Sequence, residues 1–292
     1  MTFMDDEIAR QPSAWRRVAA TLPAHASALP QPGERVAVVG CGTSWFIAEA
    51  YAALREGAGE GETQAFAASL FPEGRSFDRL VAITRSGTTT EILRLLEVPR
   101  DCPTVAITAD GSAPVTAAVD APIVLDFADE RSVVQTLFAT TALALLRCSL
   151  GDGIAQTADR AETALGEELP PAWLSADQFT FLGDGWAHGI AREAALKMRE
   201  AAQLWTEAYP GMEYRHGPIA IAQPGRVVWI LGTPARGLVE DIGATGATVV
   251  CTGDDPVVDL VRVQRLAGRR ASLAGLDVDA PRHLTRAVVL TG

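Results

Sequence analysis

The sequence predicts an α/β protein made of two tandem doubly wound parallel sheets with flanking helices. Short apolar, β-branched runs recur along the chain, each followed by a turn and then by a stretch of helical periodicity. The alternation pauses in a mixed Gly-, Pro- and acid-containing segment at 151–174 and then begins again, which divides the chain into 1–166 and 167–292. Its 292 residues, 48% of them hydrophobic, suffice for a large core.

The opening stretch "MTFMDDEIARQPSAWRRV" is acidic and then amphipathic, which suits a helix ahead of the first half and lacks the basic-then-apolar order of a signal peptide. "RVAVVG" (35–40) reads as a buried parallel strand, "CGTS" as a turn and "WFIAEAYAALREG" as a helix. "RLVAIT" (79–84) is the next strand, "RSGTTT" its turn and "TEILRLLE" (90–97) its helix. "TVAIT" (104–108) and "PIVLDF" (122–127) are strands, and 132–150 is a long apolar helix. In the second half "FTFLG" (179–183) is a strand, "DG" a turn and "HGIAREAALKMREAAQLWTEAY" (188–209) a strong helix. "VVWILG" (227–232), "ATVVC" (247–251) and "ASLAGL" (271–276) read as strands, with a helix at 237–244.

Composition excludes several classes. No run of about 18 uncharged apolar residues exists, which argues against a membrane span. Cys41, Cys102, Cys148 and Cys251 lie far apart, without metal-ligand spacing, so a reduced, cytoplasmic protein with no metal and no cofactor is expected. A net charge of −11 argues against a nucleic-acid surface. It leaves room for a small anion, because one loop can bind phosphate inside an acidic protein.

Two strand-turn-helix joints are rich in hydroxyls: Gly40-Cys41-Gly42-Thr43-Ser44 and Thr84-Arg85-Ser86-Gly87-Thr88-Thr89-Thr90. Helix starts offer free N–H groups and a favourable dipole to an anion. The spacing is neither that of a Walker loop nor a complete dinucleotide fingerprint. Plain N-capping would explain either joint alone; two in one half favour a lysine-free cradle for a phosphate monoester. Later, Glu193, Lys197 and Glu200 fall at i, i+4 and i+7 of a helix, a stripe that Glu207 would extend. A solvated salt-bridge face is one reading. The alternative is a pocket wall, since Ala194, Ala195, Met198, Ala201, Ala202 and Trp205 fill much of the circumference. His216 follows between Arg215 and a Gly-Pro turn, where an imidazole has little packing role. His25 reads as a loop residue, His188 as a helix cap and His283 as part of the tail.

These motifs resemble those of SIS-domain phosphosugar isomerases and, among them, the isomerase half of glucosamine-6-phosphate synthase. "DDEIARQP", "GCGTS", "RSGTTTE", "ERSVVQT", "FLGDG", "REAALKMRE", "TEAYPGMEYRHGP" and "DAPRHLTRAV" occur in the family's order. The resemblance implies two SIS subdomains and a phosphosugar ligand. It assigns Cys41, Gly42, Thr43, Ser44, Ser86 and Thr89 to the sugar-phosphate loops, with Thr84 and Arg85 flanking them and Val133 and Gln135 near the sugar. Glu200 matches the carboxylate that moves a proton between C1 and C2, Lys197 a lysine beside it, and His216 a ring-opening histidine supplied by the neighbouring subunit of a homodimer. Arg286 stands where the synthase has a Schiff-base lysine, and an arginine cannot form that imine. Arg85 stands for a glutamine and Gln135 for a serine, and either Arg85 or Arg286 is available to a phosphate or a substrate carboxylate. No N-terminal cysteine-nucleophile domain is seen, so glutamine is not expected as nitrogen donor. The expectation is an isomerase or deaminase of a hexose or amino-hexose 6-phosphate working through an enediol or enolamine. A fructosamine-6-phosphate deglycase and a non-catalytic phosphosugar sensor are the alternatives.

Overall fold

The computed structural model describes residues 2–290. Helix α1 (Phe3–His25) opens with a capping box: Thr2 Oγ1 accepts from Asp5 N (3.1 Å) and Asp5 Oδ2 from Thr2 N (3.0 Å). Asp279, near the other end of the chain, takes the Phe3 and Met4 amides. The buried face of α1, including Ile8, Trp15 and Val18, packs on α4 (Leu137–Ser149) and α5 (Ile154–Leu165).

The first sheet contains β1 (Val36–Gly40), β2 (Thr63–Ala67), β3 (Arg79–Ile83), β4 (Thr104–Thr108) and β5 (Ala121–Val124), all parallel, in the order β2-β1-β3-β4-β5. Helices α2 (Thr43–Gly57) and α3 (Thr90–Glu97) follow β1 and β3. After the short α6 (Pro171–Ser175), a second parallel sheet forms from β6 (Gln178–Leu182), β7 (Trp205–Tyr209), β8 (Arg226–Ile230) and β9 (Thr248–Cys251), ordered β7-β6-β8-β9. Its helices are α7 (Trp186–Ala202), α8 (Leu238–Gly243) and α9 (Pro256–Leu273). Every residue of β1, β3 and β6 is buried, as continuous apolar runs in a parallel sheet require. One hydrophobic core reaches from Val38 and Ile47 to Ile190, Phe181 and Trp229, so the halves are fused through their helices. Gly189 makes the join possible: a Cβ there would lie 2.6 Å from Phe46 O and 2.7 Å from Ala50 N, so α7 rests on the backbone of α2. No helix is long and apolar enough to cross a membrane among the described residues.

Several elements differ from the sequence reading. The helix expected over 132–150 starts at Leu137, where the Glu130 carboxylate accepts from the Thr136 (2.6 Å) and Leu137 (2.7 Å) amides; 132–136 are irregular. The helix expected over 188–209 ends at Ala202, because Gln203 turns left-handed (φ 54°) and Trp205–Tyr209 pairs with β6. Glu207 therefore leaves the charged stripe, and Trp205 is 76% exposed on a strand. Residues 271–276 are not a strand. The stretch from Pro256 to Leu273 is helical, with Asp255 capping the Val257 amide and Pro256 at the first position. His25 ends α1 rather than lying in a loop, and His188 is the third residue of α7, whose cap is Gly185.

Candidate active site

In doubly wound sheets a crevice opens where the strand order reverses, beyond the carboxyl ends of the strands. Here that point lies between β1 and β3, and both hydroxyl-rich turns occupy it. The first turn is tight. Gly42 has φ +55°, and a Cβ on Gly40 would sit 2.4 Å from the Ser44 carbonyl carbon. The second half repeats this geometry at Gly183-Asp184-Gly185: Gly185 has φ +56°, and a Gly183 Cβ would be 2.4 Å from Ala187 O. The duplicated turn carries the carboxylate of Asp184 where the first carries Cys41, which repels an anion and leaves the first half as the one suited to phosphate.

Cys41, Ser44, Thr84, Arg85, Ser86, Thr89, Gln135 and Arg286 line one small cleft at this point. Gly42, the cap of α2, has no side chain to cap with, and Thr89, the cap of α3, makes no side-chain capping bond. Ser86 Oγ instead accepts from Thr88 N (3.3 Å) and Thr88 Oγ1 (3.0 Å). Burial and the nearby Glu91 push the Cys41 thiol up to about 11, so it is a neutral thiol rather than a nucleophilic thiolate.

From the first turn a polar track leads to α7. Lys197, wholly buried, donates to Thr43 Oγ1 (3.0 Å) and to Glu200, and lies 3.4 Å from Glu193 Oε1. Burial opposes its charge, but the carboxylates of Glu193 and Glu200 outweigh that and hold its pKa above the ordinary lysine value. Glu193 is also wholly buried; burial raises it to about 7 against the pull of Lys197. The stripe is thus a buried triad rather than a solvated face. Glu200 is its open end: its side chain is 20% exposed and borders a groove with Arg199, Arg282, His283, Leu196, Leu204 and Leu284.

The two arginines do not present free guanidinium groups to the cleft. Arg85 Nη1 donates to Ser132 O (2.9 Å), with Val133 O at 3.4 Å, and Nη2 donates to Arg286 O (2.7 Å). Arg286 reaches the Glu130 carbonyl and the Asp129 carboxylate. His216 closes a 3-10 turn (Glu213–His216), is exposed, and lines neither the cleft nor the groove at Glu200.

Sequence reasoning missed the site role of Glu193, although its spacing from Lys197 was visible. It also missed Glu7 and Glu130, which no local pattern could place beside Arg85. Glu7 Oε1 accepts from the Arg131 (2.5 Å) and Ser132 (3.1 Å) amides, and burial, with the nearby Glu130, raises Glu7 to about 7. A folded value above the unfolded 4.5 gives stability that is full below pH 4.5 and is lost as pH rises through about 7. His188 acts oppositely, since burial lowers its pKa. The expected result is that Glu7→Gln loses less stability than wild type between pH 5 and pH 8, by on the order of 3 kcal/mol. Urea midpoints at the two pH values measure it, and equal slopes for both proteins would contradict it.

No family model matches the chain. Among curated proteins it is similar to isomerizing glutamine-fructose-6-phosphate aminotransferases. It is 33% identical to that of Gloeobacter violaceus over 48% of this chain and 27% of the relative. It is 27% identical to that of Methanothermobacter thermautotrophicus over 99% of this chain and 57% of the relative. The matches thus span from 24% to 57% of the length of these relatives. Among solved structures, glucosamine-6-phosphate deaminase from Thermotoga maritima superposes with a TM-score of 0.83 at 24% identity, covering 99% of this chain and 100% of that one. The C-terminal domain of glucosamine-fructose-6-phosphate aminotransferase from Francisella tularensis gives 0.74 at 19%, covering 96% and 98%. The motif resemblance therefore holds: the sequence relatives of this chain are isomerizing aminotransferases, and its fold is that of the SIS phosphosugar isomerases.

Proposed function

We propose that the chain is an enzyme that interconverts a hexose or amino-hexose 6-phosphate, as an isomerase or deaminase, through an enediol or enolamine. The observation that carries this reading is the continuous track from Thr43 through Lys197 to Glu200. A sugar whose phosphate rests among the donors of Cys41–Ser44, Ser86 and Thr89 has a carboxylate at the far end of that track. Glu200 takes a proton from one carbon and returns it to the next, while the buried Lys197 ammonium, bonded to it, holds its carboxylate at the groove. Thr84 flanks the phosphate loops, and Val133 and Gln135 bound the sugar side. His216, which is exposed and does not line the groove at Glu200, is proposed to open the sugar ring in a second copy of a cytoplasmic homodimer. The names of the relatives, an aminotransferase and a deaminase of phosphosugars, support the substrate class.

A second reading, a deglycase of fructosamine 6-phosphates, is favoured by the groove beside Glu200, where Arg199, Arg282 and His283 offer an anionic substituent a berth. A panel of fructose 6-phosphate, glucosamine 6-phosphate and amino-acid conjugates of fructosamine 6-phosphate separates the readings by turnover. Binding of all with turnover of none would make the chain a sensor and overturn both. For the substrate that reacts, Ser86→Ala is expected to raise KM about tenfold with little change in kcat, the loss of one hydrogen bond to a charged group.

A further inference from the structure

Arg85 belongs to the phosphate turn by sequence, yet its side chain is only 1% exposed and its terminal nitrogens bind protein carbonyls. Those carbonyls, of Ser132 and Arg286, lie 47 and 201 positions away in the chain. The 130–136 loop is already fixed from other sides. Glu130, 3.8 Å from Arg85 Nη1, holds the start of α4, and Glu7 of α1 holds the Arg131 and Ser132 amides. The tail is different. Leu284, Val288, Val289 and Leu290 are 41–61% exposed, so little apolar burial retains it. Its polar anchors are the Arg85 bond, the contacts of the Arg286 side chain, and a pairing at α3: Thr90 N donates to Val288 O (3.1 Å) and Leu290 N to Thr90 Oγ1 (2.9 Å). A segment with few buried apolar contacts opens locally at small cost. Loss of one buried, charge-assisted bond therefore shifts its opening substantially.

We propose that Arg85 is a positioning residue, not a phosphate ligand: it fastens the C-terminal tail, residues 286–290, and the 130–136 loop across the phosphate turn. The tail then places Arg286 at the cleft and a carbonyl on the first amide of α3. The inference rests on the reading of the cleft as a sugar-phosphate site. Among the described residues Arg85 Nε is buried without a partner, which leaves one donor for a ligand and makes phosphate binding the decisive second measurement.

The test uses the full chain with Arg85→Gln, and with Arg85→Lys, which keeps the charge but cannot span two carbonyls in the same fork geometry. Hydrogen exchange of the Leu290 and Thr90 amides, which the pairing of the tail with α3 protects, should rise about 10- to 100-fold in either variant, with the sheet amides unchanged. The affinity for inorganic phosphate, titrated by calorimetry, should stay within about twofold of wild type. On the substrate found by the panel, kcat/KM should fall about tenfold or more, and lysine should not rescue it. Should Arg85→Gln fail to fold, Arg85→Lys carries the test. Unchanged tail exchange, or phosphate affinity lost at least tenfold, overturns the proposal. If wild type binds no phosphate, the sugar-phosphate reading falls and the proposal with it, while the tail exchange still reports whether Arg85 holds that segment.

Discussion

Glu200→Gln is expected to slow exchange of solvent deuterium into C1 or C2 of the substrate by about 10²- to 10⁴-fold, with KM changed only a few-fold. The amide keeps the shape of the carboxylate and can still accept from Lys197, so the triad persists. What it loses is a basic oxygen at the only member of the triad that meets the groove; Glu193 is closed off from it. Proton NMR in deuterated buffer measures the rate directly. Exchange as fast as in wild type would remove Glu200 from the chemistry and with it the proposed mechanism.

Lys197→Met should give the largest loss of stability. Its ammonium is the shared partner of two carboxylates, one wholly buried. Removing one member of a buried ion pair typically costs about 3–5 kcal/mol, because the remaining charge has neither water nor partner. Glu193, already raised to about 7, escapes part of that by taking up a proton. The cost should therefore shrink as pH falls from 8 to 5. A second change, Glu193→Gln, should recover part of the loss. Denaturant midpoints for the two variants against wild type check both statements. A single variant as stable as wild type at pH 8 would show that the triad is not tightly desolvated.

Much of the architecture was legible because parallel strands and their following helices are written locally. β1, β3, β4 and β6 are apolar runs next to glycine turns, and the reading placed each within a residue or two. The errors arose where a local pattern competed with a distant partner. The helical run of α7 continues in composition past Ala202, but pairing with β6 claims 205–209. The start of α4 depends on Glu130 capping it, and β2 is an edge strand without a strong apolar pattern. For the site, the hydroxyl turns and the Glu193-Lys197-Glu200 spacing were visible. The destination of the two arginines was not, since each binds carbonyls or carboxylates at positions unrelated by any sequence period.

The sequence by itself determined the strand-turn-helix units, the hydroxyl density of the two turns in the first half and the common helix of Lys197 and Glu200, since all of these are properties of a few consecutive residues. Tertiary structure alone decided that the charged stripe is buried, that Lys197 meets Thr43, and that Arg85 donates to the Arg286 carbonyl. The reason is physical: burial and charge pairing depend on which surfaces meet when the two sheets fuse, and the close approach of α7 to α2 at Gly189 sets that meeting.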